Sequence, residues 1–192
     1  RNEDEAVHYC PNSEGCPPQI KGRVEHFVSR RAMDITIGPE TISLLYDKEL
    51  IHDAADLYVL RFEDLVNLER WGETSANNLI ESIRESKQVS YERVLFALGI
   101  RFVGETVARK LAQAFPAIDQ LKQATEEQLM SVDEIGERIA RSVTGYFKKP
   151  ETVDFVTRLQ QHGLQFSLSE ELLSARTEKL EGLTIVISGT FE

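Results

Sequence analysis

The stretch Phe102-Val103-Gly104-Glu105-Thr106-Val107-Ala108 decides how the rest of this chain reads. Its order of apolar residue, glycine, glutamate, threonine and, four positions after the glycine, alanine recurs in Trp71-Gly72-Glu73-Thr74-Ser75-Ala76. It recurs again, with arginine for threonine, in Ile135-Gly136-Glu137-Arg138-Ile139-Ala140. A degenerate copy, Ile37-Gly38-Pro39-Glu40-Thr41-Ile42, comes first. The four glycines are spaced by 34, 32 and 32 residues, a period that belongs to repeated helical units. Upstream of three copies stands an apolar pair three residues apart: Leu65 and Leu68, Leu95 and Leu98, Leu129 and Val132.

Each unit therefore predicts two short helices joined by a glycine turn. The apolar pair anchors the first helix, and the apolar residue before the glycine plugs the space between the two. The glycine is expected to turn the chain with φ > 0 and to bring bare backbone to the surface. Ala76, Ala108 and Ala140, one turn into the second helix, let the two helices approach closely. The first N–H groups of that helix have no intrahelical acceptor, and with the helix dipole they favour an anion such as a backbone phosphate. Glycine between packed helices is common, and one copy would signify only a connection. Three near-identical copies and a fourth degenerate one favour a repeated phosphate contact, held without regard to base sequence. A helical repeat scaffold that binds proteins alone is the competing reading.

On this reading the contact residues are Gly38, Gly72, Gly104 and Gly136, with Thr74 and Thr106 facing the phosphates beside them. Arg138 and Arg141 are the best-placed cations; Arg101, Arg109 and Lys110 flank the third unit, and Arg70 precedes the second. Glu73, Glu105 and Glu137 suit the first turn of a helix but oppose a nearby phosphate, so they are expected to cap or to face away. The charge balance also opposes a diffuse polyanion-binding surface. With 22 Lys and Arg against 32 Asp and Glu, the net charge is −10, which leaves the work to backbone donors and a few placed cations.

Working outward, the chain is helix-patterned from about Val24 to about Leu168. Val24, Phe27 and Val28 open one amphipathic stretch; Leu79, Ile80 and Ile83 mark another, and Val153, Val156 and Leu159 a third. Residues 1–24 hold both cysteines and three of the six prolines, and read as loop-rich with no core of their own. Residues 169–179 read as a polar linker, and Leu183-Thr-Ile-Val-Ile187 as a strand. Two cysteines make no disulfide framework, which sets a reducing, intracellular compartment as the expectation. The longest apolar runs are too short to span a bilayer. The histidines at 8, 26, 52 and 162 are scattered, and none stands beside a serine or cysteine as a nucleophile would require.

The glycine units resemble helix–hairpin–helix motifs, and four in tandem resemble that domain of bacterial NAD-dependent DNA ligases. His26-Phe-Val-Ser-Arg-Arg-Ala-Met-Asp-Ile35 is similar to the ligase sequence leading into the first motif, and Leu95-Phe-Ala-Leu-Gly-Ile-Arg-Phe-Val-Gly104 to its third. Cys10-Pro-Asn-Ser-Glu-Gly-Cys16-Pro-Pro-Gln resembles the second half of a four-cysteine zinc module, and Leu180-Glu-Gly-Leu-Thr-Ile-Val-Ile-Ser-Gly-Thr-Phe191 the opening of a BRCT domain. The resemblance covers essentially the whole chain.

It implies a mainly α fold of four tandem helix–hairpin–helix repeats, with a small loop-rich partial zinc module before them and one truncated BRCT strand after. The implied divisions are 1–24, 25–168, 169–179 and 180–192. The implied role is the non-catalytic, DNA-binding region of a ligase that seals nicks in duplex DNA during replication and repair. Cys10 and Cys16 would be half of a zinc site, with His8 or His26 as substitutes and a plain surface histidine or reduced thiol pair as the alternative. NAD and magnesium would bind outside this segment, in keeping with the absence of a Lys-x-Asp-Gly motif from these 192 residues. The implied partners are nicked double-stranded DNA and the adenylation and OB domains of the same protein; the expectation is a cytoplasmic, bacterial monomer with no membrane association. A helix–hairpin–helix region of another repair protein, such as an excision nuclease subunit, is the alternative parent.

Overall fold

The computed structural model describes residues 15–69 and 71–169. Its first helix, α1 (Pro17–Val28), begins inside the segment that composition marks as loop. Proline in the first helical turn loses no hydrogen bond, because those N–H groups have no intrahelical acceptor. Ile20, Val24, Phe27 and Val28 then fall on one buried face, so residues from Pro17 onward join the core rather than standing apart from it. Residues 1–14, with Cys10, and residues 170–192, with the linker and terminal-strand readings, lie outside the described residues.

The remaining helices follow the predicted units. α2 (Pro39–Asp47) starts after Gly38, and a 3-10 helix (Ala54–Val59) leads to α3 (Phe62–Val66). α4 (Glu73–Ser86) follows Gly72, α5 (Tyr91–Ala97) precedes the third turn, and α6 (Glu105–Ala114) follows Gly104. α7 (Ile118–Gln123) is an insertion, after which α8 (Glu126–Met130) and α9 (Glu137–Phe147) form the last pair. α10 (Pro150–Gln161) closes the array. Four hairpins result, pairing α1 with α2, α3 with α4, α5 with α6, and α8 with α9. Among the described residues extended pairing amounts to an isolated bridge between Ala117 and Ser167, where the Ile118 N–H donates to the Phe166 carbonyl at 2.9 Å.

Packing explains the repeated residues. Leu65, Leu95 and Leu129 are fully buried in the first helices of their hairpins, and Leu68 and Leu98 lie just beyond them. Ala76, Ala108 and Ala140 are fully buried in the second helices, as is Ile42 in the divergent copy. The small side chains leave room for the partner helix, and one contiguous apolar cluster runs from Val24 to Phe166 through all four hairpins.

Polar ties fix the hairpins to one another. The Thr36 N–H, in the first turn, donates to Ser82 Oγ on α4 at 2.7 Å. On the other side of the array, Ser142 Oγ on α9 donates to the Arg101 carbonyl at 2.7 Å, and the Tyr146 hydroxyl to the Leu98 carbonyl at 3.3 Å. The Arg93 guanidinium on α5 donates to the Arg30 and Arg31 carbonyls at 2.6 and 3.3 Å, joining the first and third hairpins. His26 belongs to the same junction: its Nε2 donates to the Phe96 carbonyl at 2.9 Å, and its ring meets the Phe96 ring edge-on at 4.7 Å. Its role is structural.

Candidate nucleic-acid interface

Each motif glycine is the N-cap of a helix of nine residues or more: Gly38 of α2, Gly72 of α4, Gly104 of α6 and Gly136 of α9. Their carbonyls open the helices, accepting from Ile42, Ala76, Ala108 and Ala140 N–H at 2.8 to 3.1 Å. None of these four helices has a side-chain cap, so the leading N–H groups face outward beside the glycine. α8 shows the contrast: Thr125 Oγ1 accepts from the Gln128 N–H at 3.2 Å, and the Gln128 side chain accepts from the Thr125 N–H at 2.9 Å.

The glycines do not turn the chain through positive φ. Their φ values are −92, −126, −84 and −84°, all in the extended region open to any residue. The turn is made upstream, by Asp34 (φ 55°) in the first hairpin, Phe102 (φ 65°) in the third and Glu134 (φ 64°) in the fourth. In the third hairpin Gly99, at φ 66°, ends α5 as well. A Cβ built on Gly38, Gly72, Gly104 or Gly136 would meet no atom within 4 Å. Neither backbone conformation nor packing thus demands glycine at any of the four positions. What a missing side chain provides there is close approach from outside.

The polar and charged residues of the expected site are all on the surface. Gly38, Gly72, Gly104, Gly136, Thr74, Thr106, Arg101, Arg109, Arg138 and Arg141 are exposed. The structure brings two of the arginines together. The Arg138 guanidinium, in the first turn of α9, sits 4.0 Å from the centroid of the Phe102 ring, and that of Arg101 sits 4.9 Å from it. Arg109 stands on the exposed side of α6, next to buried Ala108. Arg141 is drawn toward acidic neighbours, pairing with Glu137 one turn back and with Glu126 at 3.8 Å. Lys110 is held by Asp133 at 2.8 Å and Glu134 at 3.0 Å, which ties α6 to the fourth hairpin. Arg70 lies outside the described residues.

Two of the three motif glutamates have cationic partners: Glu105 meets Arg31 at 3.4 Å, and Glu137 meets Arg141. Phe102 is the surface feature that the spacing argument passed over. It is 39% exposed, a large apolar side chain two residues before a motif glycine. The sequence signal was its place in the turn, where Glu134 occupies the corresponding position of the fourth unit.

Cys16 is half-buried at the N-cap of α1, and its intended companion Cys10 lies outside the described residues. Among the described residues no three His, Cys, Asp or Glu side chains converge as a metal site. No helix there is long and apolar enough to cross a membrane.

A mainly helical chain with paired short helices and exposed glycine caps is a helix–hairpin–helix protein, and residues 93–156, the third and fourth hairpins, match the helix-hairpin-helix motif family. The comparison with curated proteins narrows this further. The whole chain is 61% identical over 191 residues to a DNA ligase of Parabacteroides distasonis, 55% over 192 residues to one of Bacteroides fragilis, and 50% over 193 residues to one of Porphyromonas gingivalis. It spans 29% of the length of each of these relatives. The chain fits a region of a bacterial DNA ligase.

Proposed function

We propose that this chain is the DNA-gripping region of an NAD-dependent DNA ligase, holding the backbone of a nicked duplex while the chemistry proceeds elsewhere in the protein. The observation that carries the reading is the set of four exposed glycine caps at which the fold itself has no need of glycine. A phosphate can come against bare backbone there and accept from the leading N–H groups of α2, α4, α6 and α9, with the positive end of each helix dipole behind it. Thr74, Thr106, Arg101, Arg109, Arg138 and Arg141 would add side-chain donors. Such contacts orient a duplex without reading its bases.

The net charge of −10 shapes the consequence. Binding rests on placed donors rather than on a basic field, so it is weak alone and supplements the grip of the adenylation and OB domains of the same chain. NAD and magnesium would be held by those domains, and the absence of a Lys-x-Asp-Gly motif here agrees with a segment silent in catalysis. Cys10 and Cys16 would contribute half of a structural zinc site, completed by two further thiolates. The whole-length likeness to proteins named DNA ligase favours that parent over an excision nuclease subunit or a protein-binding adaptor. A cytoplasmic, monomeric setting follows from the same reading.

The test is nicked-duplex binding by the full chain and by Gly72→Ala, Gly104→Ala and Gly136→Ala. Each added methyl has room in the fold, so lost affinity with an unchanged melting temperature supports the proposal. Unchanged affinity in all three would overturn it.

A further inference from the structure

In the third hairpin the left-handed turn position is filled by Phe102, at φ 65°. That conformation disfavours any residue with a Cβ and is a marked outlier for a bulky side chain. The ring does not sink into the core to offset this, since it is 39% exposed. What it does touch is charged: the Arg101 and Arg138 guanidinium carbons lie 4.9 and 4.0 Å from its centroid. Arg101 belongs to the third hairpin and Arg138 to the fourth, so the ring joins cations from two units. Hydrogen bonds from Ser142 and Tyr146 on α9 to the Arg101 and Leu98 carbonyls fix the backbones beneath.

We propose that Phe102 is a positioning residue that holds Arg101 and Arg138 as one two-armed clamp on the DNA backbone, between the Gly104 and Gly136 caps. This rests on the DNA-gripping reading above and adds to it a specific division of labour. Long arginine side chains on a surface lose rotamer freedom when they bind a phosphate. A ring that already occupies both guanidinium planes removes part of that cost before binding, while their N–H edges remain directed outward as donors. The acidic character of the chain makes such preorganisation count, because long-range attraction contributes little.

The experiment is a mutant cycle on the full chain, read as affinity for a nicked duplex at low salt, with thermal melting as the folding control. Phe102→Leu should bind about threefold to tenfold more weakly, the size of a lost cation–π arrangement. Phe102→Tyr, which keeps the ring, should bind like the parent. Phe102→Gly should also weaken binding, and it cannot be dismissed as misfolded because glycine suits φ 65°. The deciding arm repeats Phe102→Leu in a background of Arg101→Ala and Arg138→Ala, where the loss should vanish. A loss of undiminished size in that background would mean that the ring meets DNA itself and would overturn the proposal, as would parental affinity in Phe102→Leu. If the parent chain fails to bind duplex at all, the gripping function and the clamp fall together. If the glycine variants lose affinity while the phenylalanine effect is additive, the clamp alone falls.

Discussion

The Arg158 guanidinium on α10 lies 3.1 Å from the Asp56 carboxylate in the 3-10 helix, linking positions 102 residues apart. It also meets Asp53 in the same helix and Asp154 on its own helix at 3.0 Å. One cation thus holds three carboxylates together and fastens the last helix to the first half of the array. Removing it leaves like charges facing one another. Arg158→Leu should destabilise the chain by about 1 to 3 kcal/mol, between the exposed and fully buried limits for ion pairs. Thermal melting checks this, and adding Asp53→Asn to Arg158→Leu should recover part of the loss. An unchanged melting temperature in the single variant would show the tie to be ornamental.

Tyr91 offers a change in the other direction. It is 1% exposed at the start of α5, and among the described residues its hydroxyl has no hydrogen-bond partner. Burial holds the phenol well above its ordinary range, with Asp119 adding to the effect. A buried hydroxyl without a partner costs free energy that phenylalanine does not. Tyr91→Phe should leave stability equal or raise it by up to about 1 kcal/mol. A drop in the denaturation midpoint would reveal a partner for that hydroxyl.

His162 makes stability depend on mildly acid pH. Its ring stacks on Tyr58 at 5.8 Å, and burial, then Lys87 and Arg158, lower its pKa from the ordinary 6.5. The folded chain therefore binds the imidazole proton less readily than the unfolded chain. Stability associated with this group is present above pH 6.5 and is lost as pH falls through the folded value. Melting temperatures measured downward from neutral pH should fall less steeply in His162→Gln than in the parent. Parallel curves would assign the acid limb to the carboxylates alone.

The motif glutamates give a prediction of opposite sign to the glycines. Glu105 and Glu137 place negative charge in the first turn of α6 and α9, beside the proposed phosphate contacts. Glu105→Gln should tighten binding to nicked duplex by about twofold to threefold at low salt, and the gain should shrink as salt screens the charge. Weakened binding would mean that the Glu105–Arg31 pair holds the site in shape.

Much of this architecture was legible. The period of the glycines, the buried Leu65, Leu95 and Leu129, and the small residues at 76, 108 and 140 all found the places that spacing assigned them. Composition misled at the first helix, because Pro17 and Pro18 read as loop although proline starts helices well. Glycine misled in another way. A positive φ was expected where glycine stood, whereas the left-handed residues are Asp34, Phe102 and Glu134, whose identities give no warning of it. The Arg158 tie was invisible because its carboxylates at 53 and 56 are brought to α10 only by the packing of everything between. The clamp around Phe102 was hidden for a similar reason: Arg101 and Arg138 belong to different repeats.

The apolar cluster that runs unbroken from Val24 to Phe166 carries a last consequence. Four turns set on separate lobes could each drift to meet whatever surface lay nearby. Four turns rooted in one close-packed interior keep their intervals, since such an interior resists small deformations. The array is then a gauge. A helix of DNA whose backbone already matches those intervals seats on all four points at once, and one bent or unwound differently must be reshaped to fit or engage fewer of them.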